Sequence, residues 1–419
     1  MLVYLITIAV ALGLLVAAEY GFVGRPRVAR ALWAAAFVVL LAPAALRYDI
    51  GVDYSATMES AGYLGYWQLY HLYASQPPAL GMDPGFYLLI RLLNVFTDNP
   101  QWMFATISAA TYALVLRACR RLSPVPVLSV ALFLVAGFYF ESYNIARQWF
   151  AIACVLNALE WVGPLALAPH ACGRGANAAR LVGETCPRRS FARYALWVLL
   201  GASMHLSCLL WLVVWPLTRL RLTPTRAFVC LAGFVAVAFV GVRVVQVFFA
   251  QTRFGLYFGP ASSVYVGPHP RVNAIVTSGL TWAFALFAPY LGKLQSRRDA
   301  KSAAERGEAP GVATATISLD PLDSTLLLCA TLALALNVSA FFVPAIVDRV
   351  ARYFAPMLIL LMPRMLVHIK DARLRRLCCA LIIVAWLAAT YVQAFAGGQY
   401  GVVPYQSVFS ERCMAGILS

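Results

Sequence analysis

The side chains in this chain that are able to do chemistry are arginines, a histidine and two aspartates placed in or beside long apolar runs. Asn144, Arg147 and Gln148 open one such run, which reads Tyr-Asn-Ile-Ala-Arg-Gln-Trp-Phe from Tyr143. Residues three and four apart lie side by side on a helix, so one face would present all three polar groups. A guanidinium in apolar surroundings is costly unless it meets water, a partner or an anion. Arg91, Arg243, Arg349 and Arg352 recur at comparable places. Guanidinium groups grip phosphate oxygens through paired donors, and a partly dry cavity strengthens the contact. The set therefore points to a lipid-linked anion whose diphosphate is held by Arg147, Gln148, Arg349, Arg352, Arg243 and Arg91.

His205 lies inside another apolar run. An imidazole titrates near neutrality, which suits a general base or a hydrogen-bond donor; Asp53 and Asp83 are the alternatives for that role. Tyr54, Tyr66, Trp67 and Tyr405 offer amphipathic rings able to stack on sugar faces. Structural duties for the same residues stay open. Arg352 follows Asp348 by four residues and can pair with it, Arg349 can snorkel to an interface, and Arg147 can hold helices together through Asn144 or Gln148. His205 can be satisfied by a neighbouring helix, and the rings can form an interfacial belt. There is no Ser-His-Asp spacing, glycine-rich phosphate loop or metal-ligand cluster, and the chemistry considered requires no cofactor.

The elements that must position these groups follow from composition. The 419 residues are 62% hydrophobic and only 12% charged, with a mean hydropathy of +0.76. About 20 apolar residues cross one bilayer core, so the chain reads as an all-α, polytopic membrane protein, a single membrane domain over residues 1–419. The net charge of +16 sits mostly in short gaps between apolar runs. Cytoplasmic retention explains that pattern, and no separate basic domain or zinc-finger spacing argues for a nucleic-acid partner. The ten cysteines do not form a disulfide scaffold, because Cys154, Cys208, Cys230 and Cys329 fall inside apolar runs and Cys172 and Cys186 lie in a basic loop.

Hydropathy and the bias of basic residues predict about ten crossings, over residues 1–18, 29–46, 102–116, 125–140, 145–162, 228–249, 273–291, 326–343, 353–367 and 377–395. Two further stretches, 86–96 and 194–217, read as re-entrant helices. The second should break near Ser203 to His205, placing His205 by a cavity, since non-helical backbone at membrane depth is tolerated only inside protein or against water. The connecting segments are an outer aromatic and re-entrant segment at 47–99, a cytoplasmic loop at 165–193, an outer loop at 250–272, a cytoplasmic loop at 292–323 and an outer tail at 397–419. This topology sends Arg91, Arg147, Arg243, Arg349 and Arg352 to the outer side.

Several short motifs stand in a recognisable order: Ile50-Gly51-Val52-Asp53-Tyr54, then Asp83-Pro84-Gly85-Phe86-Tyr87-Leu88-Leu89, then Asn144-Ile145-Ala146-Arg147-Gln148-Trp149-Phe150-Ala151. His205 follows, then Asp348-Arg349-Val350-Ala351-Arg352-Tyr353-Phe354 and Pro404-Tyr405-Gln406-Ser407-Val408-Phe409. Over roughly residues 47–410 this series resembles the EpsG family of bacterial polysaccharide polymerases, related in role to Wzy proteins. The resemblance implies a multi-pass protein of the bacterial inner (cytoplasmic) membrane with a glycosyltransferase-C-like lipid-diphosphate cavity near the periplasmic or outer face. It implies transfer of a growing glycan from an undecaprenyl diphosphate-linked donor to a lipid-linked repeat-unit acceptor, with membrane lipids and a chain-length regulator as further partners. Arg147, Gln148, His205, Arg349 and Arg352 fall in the family's motif regions, and Asp83 stands where related sequences often carry an acid. A glycan ligase using the same donor, or a non-enzymatic transporter of the lipid-linked polysaccharide, would call on the same arginines.

Overall fold

A computed structural model describes residues 1–54, 64–77, 82–162, 190–249, 271–306, 319–341 and 346–410, without the side chains of 224, 242–249, 303, 304 and 346. The described residues are helical, and their one β contact is an isolated antiparallel bridge between Arg47 and Ser407. Two apolar helices, α1 (Leu2–Val16) and α2 (Pro26–Ala45), pack against each other. Pro26 starts α2 without loss, since the first helical N–H has no partner in any case. Two short helices follow, α3 (Tyr66–Ser75) and α4 (Pro84–Asn94), and then α5 (Gln101–Leu122), whose last turn carries Arg120 and Arg121 against the negative end of its dipole.

The next run is broken. α6 (Pro126–Val135) and α7 (Phe138–Asn144) meet at a 56° bend. Gly137 sits at the break with φ +79°, a conformation that only glycine adopts without a steric penalty. α8 (Ala146–Ala158) then runs through the middle of the molecule, packed between α5 and α9 (Phe191–Met204). A helix buried on every side needs apolar or small residues all round, and its sequence Ala-Ile-Ala-Cys-Val-Leu supplies them. α9 ends at His205, whose extended backbone (φ −155°, ψ 102°) interrupts the helix before a tight turn at Leu206–Leu209 and α10 (Leu210–Leu217). The expected break at residues 203–205 is therefore present.

The second half comprises α11 (Pro224–Phe249), α12 (Val272–Glu305), α13 (Pro321–Ser339), the short α14 (Ile346–Ala351), α15 (Leu358–Val367) and α16 (Ala372–Thr390). Residues 397–410 return to the start of the chain: Val408 N–H donates to Leu46 O at 2.9 Å, Tyr48 N–H to Gln406 O at 3.0 Å and Gly51 N–H to Gly401 O at 3.1 Å. This return pins the segment that carries Asp53.

The all-α, polytopic reading holds, with fewer membrane-length helices among the described residues than the ten crossings expected. Among the described residues seven helices are long and apolar enough to cross a membrane, or eight if the bent α6–α7 pair is one span. The stretch read as a crossing at 145–162 yields a helix of 13 residues, short of a bilayer. The segment expected to be a loop from residue 292 instead continues α12 to Glu305, because Lys, Arg, Ala and Gln are good helix formers outside a membrane as well as in it. Of the expected outer tail, the part up to residue 410 packs back on the start of the chain. Most of the loops expected at 165–193 and 250–272, and the remainder of the one at 292–323, lie outside the described residues.

Candidate functional site

The N-terminal ends of α4 and α8, the break at His205 and the short α14 come together at one end of the bundle. Gly85 fits this junction because a Cβ there would lie 2.5 Å from Ser203 Oγ. The close approach brings Asp83, just before α4, against the interrupted end of α9. Asp83 Oδ2 accepts from Arg147 Nη1 at 2.9 Å, and His205 Nδ1 stands 3.8 Å from the same oxygen. Asp83 Oδ1 accepts from the Leu206 N–H at 3.1 Å, which satisfies a donor freed by the break. One carboxylate is thus shared by a guanidinium, an imidazole and the backbone.

Electrostatics follow from that sharing. Burial by itself raises a carboxyl, but the neighbouring His205 ring and the Arg147 charge outweigh it and hold Asp83 below the usual carboxylate range. Arg147 also lies over the Phe86 ring at 4.8 Å and the Tyr66 ring at 5.6 Å, and its N–H donates to Tyr66 Oη at 3.3 Å. The His205 ring stacks on Tyr353 at 6.3 Å and 14°, and Tyr353 Oη is 3.0 Å from Ser207 Oγ. His205 Nδ1 is buried with no hydrogen-bond partner among the described residues beyond its approach to Asp83.

Gln148 does not face an open site: its amide donates to Arg349 O at 2.9 Å and ties α8 to α14. Asp53 lies within the field of Arg349, Arg147, Arg352 and Arg47, yet burial dominates and pushes its carboxyl above the usual range. Asn144 holds the Asp53 segment in place. Its Oδ1 accepts from the Val52 N–H at 2.5 Å, and its Nδ2 donates to Tyr400 O at 3.1 Å. Gly51, with φ +104°, permits the turn against Asn144.

The arginines do not all meet in one place. Arg352 is half-buried with internal partners, Asp348 Oδ2 at 3.0 Å and Glu141 Oε1 at 3.3 Å, while Arg271 reaches Asp348 Oδ2 at 3.1 Å. The i,i+4 pairing with Asp348 is the structural alternative for Arg352, and it is the one formed. Arg91 donates to Ala74 O and fastens α4 to α3. The side chain of Arg243 lies outside the described residues. The rings expected to hold a glycan are largely packed away as well. Tyr54 stacks on Phe104 at 4.5 Å and on Trp67 at 5.6 Å, Tyr66 is buried beside Arg147, and Tyr405 donates to Pro43 O at 3.2 Å. Of the four, Trp67 and Tyr405 retain partly exposed side chains.

Two groups at this end escaped sequence reasoning. Glu141 sits in the apolar run Phe-Tyr-Phe-Glu-Ser-Tyr, and a lone acid in such surroundings was a readable signal. Arg47 is fully buried, with its guanidinium between the Phe104 ring at 4.8 Å and the Tyr143 ring at 4.7 Å. Its place at the end of an apolar run resembles that of an ordinary interfacial arginine, so only packing reveals it.

These features define an all-α protein with several membrane-length helices and a histidine–aspartate–arginine cluster where two helices are interrupted. The model of the EpsG family matches residues 30–163 and 184–407, most of the chain, and the protein belongs to that family. No curated protein and no solved structure matches it significantly. Family membership and the apolar helices together support a membrane enzyme of polysaccharide biosynthesis.

Proposed function

We propose that this protein polymerises a bacterial surface polysaccharide by glycosyl transfer from an undecaprenyl diphosphate-linked glycan to a lipid-linked repeat-unit acceptor. The observation that carries the reading is the single Asp83 carboxylate lying between Arg147 and His205 at the helix break. In this reading the acceptor hydroxyl oxygen attacks the anomeric carbon of the donor sugar. The new C–O bond forms as the bond to the diphosphate breaks, and the hydroxyl proton passes to His205. Asp83 stands beside Nδ1, which leaves Nε2 to take the proton, and its charge steadies the imidazolium that results. The departing undecaprenyl diphosphate draws Arg147 towards it, with Arg349 as the second cation. As Arg147 turns to the phosphate, Asp83 is released to the imidazolium, so the two halves of the reaction share one carboxylate.

Arg352 and Arg91 are left out of the phosphate contact because internal acceptors already meet them. Asp53, whose carboxyl burial pushes above its usual range, is assigned to hold the acceptor by hydrogen bonds, with His205 as the base. A glycosyltransferase-C-like cavity around the His205 break, opening at the periplasmic face of the inner membrane, completes the proposal. Direct attack inverts the anomeric centre. The test is elongation of a defined undecaprenyl diphosphate-linked repeat unit by the purified chain, with products resolved by length and anomeric configuration. A ladder of inverted products supports the reading. Transfer of a single block makes the protein a ligase, and movement of the lipid across vesicles without new glycosidic bonds makes it a transporter.

A further inference from the structure

The end of the bundle opposite the His205 cluster is strongly basic. Residues 292–299 and 368–376 carry seven Lys or Arg against two Asp, a net of +5. These stretches meet where α12 passes the turn before α16. Gly292 permits the approach, since a Cβ there would clash with His368 O. The Gln295 side chain accepts from the Lys370 N–H at 2.8 Å and the Asp371 N–H at 3.3 Å, which fixes the turn against α12. Arg298, Lys370 and Arg373 are exposed, and among the described residues their side chains make no hydrogen bond or ion pair. Asp371 is engaged instead with the Leu374 N–H at 2.7 Å.

An apolar groove of about 360 Å3 runs between α12, α15 and α16, bounded by Leu280, Phe284, Met362, Leu381, Ile382 and Ala385. Leu280 and Leu381 are 58% and 60% exposed, so the groove opens sideways on helices of membrane-spanning length. The span that contains α16 buries the smallest share among those spans, 11%, and protein alone does little to cover it. At 1.5 Å per residue, Arg373 stands about 12 Å along α16 from Leu381, and Arg298 about 21 Å along α12 from Phe284. Arg298 also lies about five helical turns beyond Leu280 and so returns to the same side of α12. Half of a bilayer, headgroups included, measures roughly 20–22 Å. The cations therefore stand at headgroup depth when the near end of the groove stands at chain depth.

Retention of basic residues on one side of a membrane accounts for their number. It does not require unpaired cations from two helices to meet at the mouth of an apolar groove. We infer that this corner and groove bind an anionic glycerophospholipid of the adjoining leaflet, with its phosphodiester at Arg298, Lys370 and Arg373 and one acyl chain along Phe284, Leu381 and Ile382. Guanidinium and ammonium donors match the phosphate oxygens, and the chain covers the flank of α16 that protein leaves open. The site is apart from the proposed reaction centre and does not depend on it.

The test gives the purified full-length chain equal amounts of phosphatidylglycerol and phosphatidylcholine with the same acyl chains, and reads retained lipid and oligomeric mass by native mass spectrometry. The parent should prefer phosphatidylglycerol. Arg298→Gln and Arg373→Gln should each lower that preference about fivefold, the usual worth of one basic residue at an anionic surface. Arg27→Gln, which removes another exposed cation from the start of α2, should leave it unchanged. Ala385→Trp should fill the groove and lower retention of both lipids. Val384→Trp, 61% exposed on the same helix but outside the groove, should retain them as the parent does. Equal retention of the two lipids by the parent, or parent-like behaviour of Arg298→Gln, Arg373→Gln or Ala385→Trp, overturns the inference. An equal loss in Arg27→Gln overturns it in favour of diffuse surface charge, and a dimer that Ala385→Trp dissociates gives the groove to a second copy of the chain instead.

Discussion

Two clusters at opposite ends of the bundle contain the same three kinds of side chain in different arrangements. At one end Asp83 lies between Arg147 and His205; at the other Asp323 lies between Arg364 and His368, with His368 Nε2 at 3.6 Å and Arg364 Nε bonded directly. Arg364 spends its donors on protein: Asp320 and Asp323 take two arms and Leu122 O the third at 3.0 Å, so α5, α13 and α15 are tied at one point. That end is reinforced by Arg117 and Arg121, which both reach Glu160. Two carboxylates per guanidinium make a clamp. Asp83 instead divides one carboxylate between a guanidinium and an imidazole at a broken helix, the arrangement that the proposed reaction would redistribute.

The comparison is broken most severely at His205. His205→Ala should lower elongation about 10²–10⁴-fold, the usual worth of a positioned general base, with little change in Tm or donor binding. Loss of Tm in step with activity would make His205 a packing residue like its counterpart. Arg147→Ala comes next, with turnover down about 10²–10³-fold as for removal of one charge-stabilising donor and weaker donor binding. Unaltered turnover there would end its phosphate role.

Arg364→Ala should act on stability instead. Removing one partner of a buried pair costs about 3–5 kcal/mol, seen as a large fall in Tm, while activity per folded molecule is kept. Asp83→Asn probes the pH dependence of the first cluster. Because the folded-state pKa of Asp83 is depressed, its stabilisation is present above the unfolded value of about 3.9 and is lost as pH falls through the folded value. The parent should therefore lose Tm below about pH 4 more steeply than Asp83→Asn in a thermal-melt series. The smallest effect belongs to His368→Ala, whose turnover should match the parent; a loss comparable to that of His205→Ala would erase the distinction between the ends.

Much of the first cluster was legible because its members are anomalies. Arg147, His205 and Asp83 each interrupt apolar surroundings, and their cost can be read without coordinates. Their grouping was not legible: Asp83 meets residues 64 and 123 positions away in sequence. Which of the five arginines already have acceptors within the protein was no more legible. Arg352 and Arg91 looked equivalent to Arg147 by surroundings, but Asp348, Glu141 and the Ala74 carbonyl stand within reach of them. Basic residues after position 292 were read as a loop signal although their helix propensity is high, and α12 simply runs on. The bend at Gly137 rests on one residue in an unbroken apolar run, too slight a mark to stop a hydropathy window.

What the chain determines by itself is class and membership: long apolar runs must be helices where water is scarce, and the ordered motifs place it in the EpsG family. Which charge is held by the protein and which is left able to respond to a substrate is decided only on folding. Coulomb energy and hydrogen bonds depend on separations of a few ångströms, and those are set by how α4, α8, α9 and α14 pack.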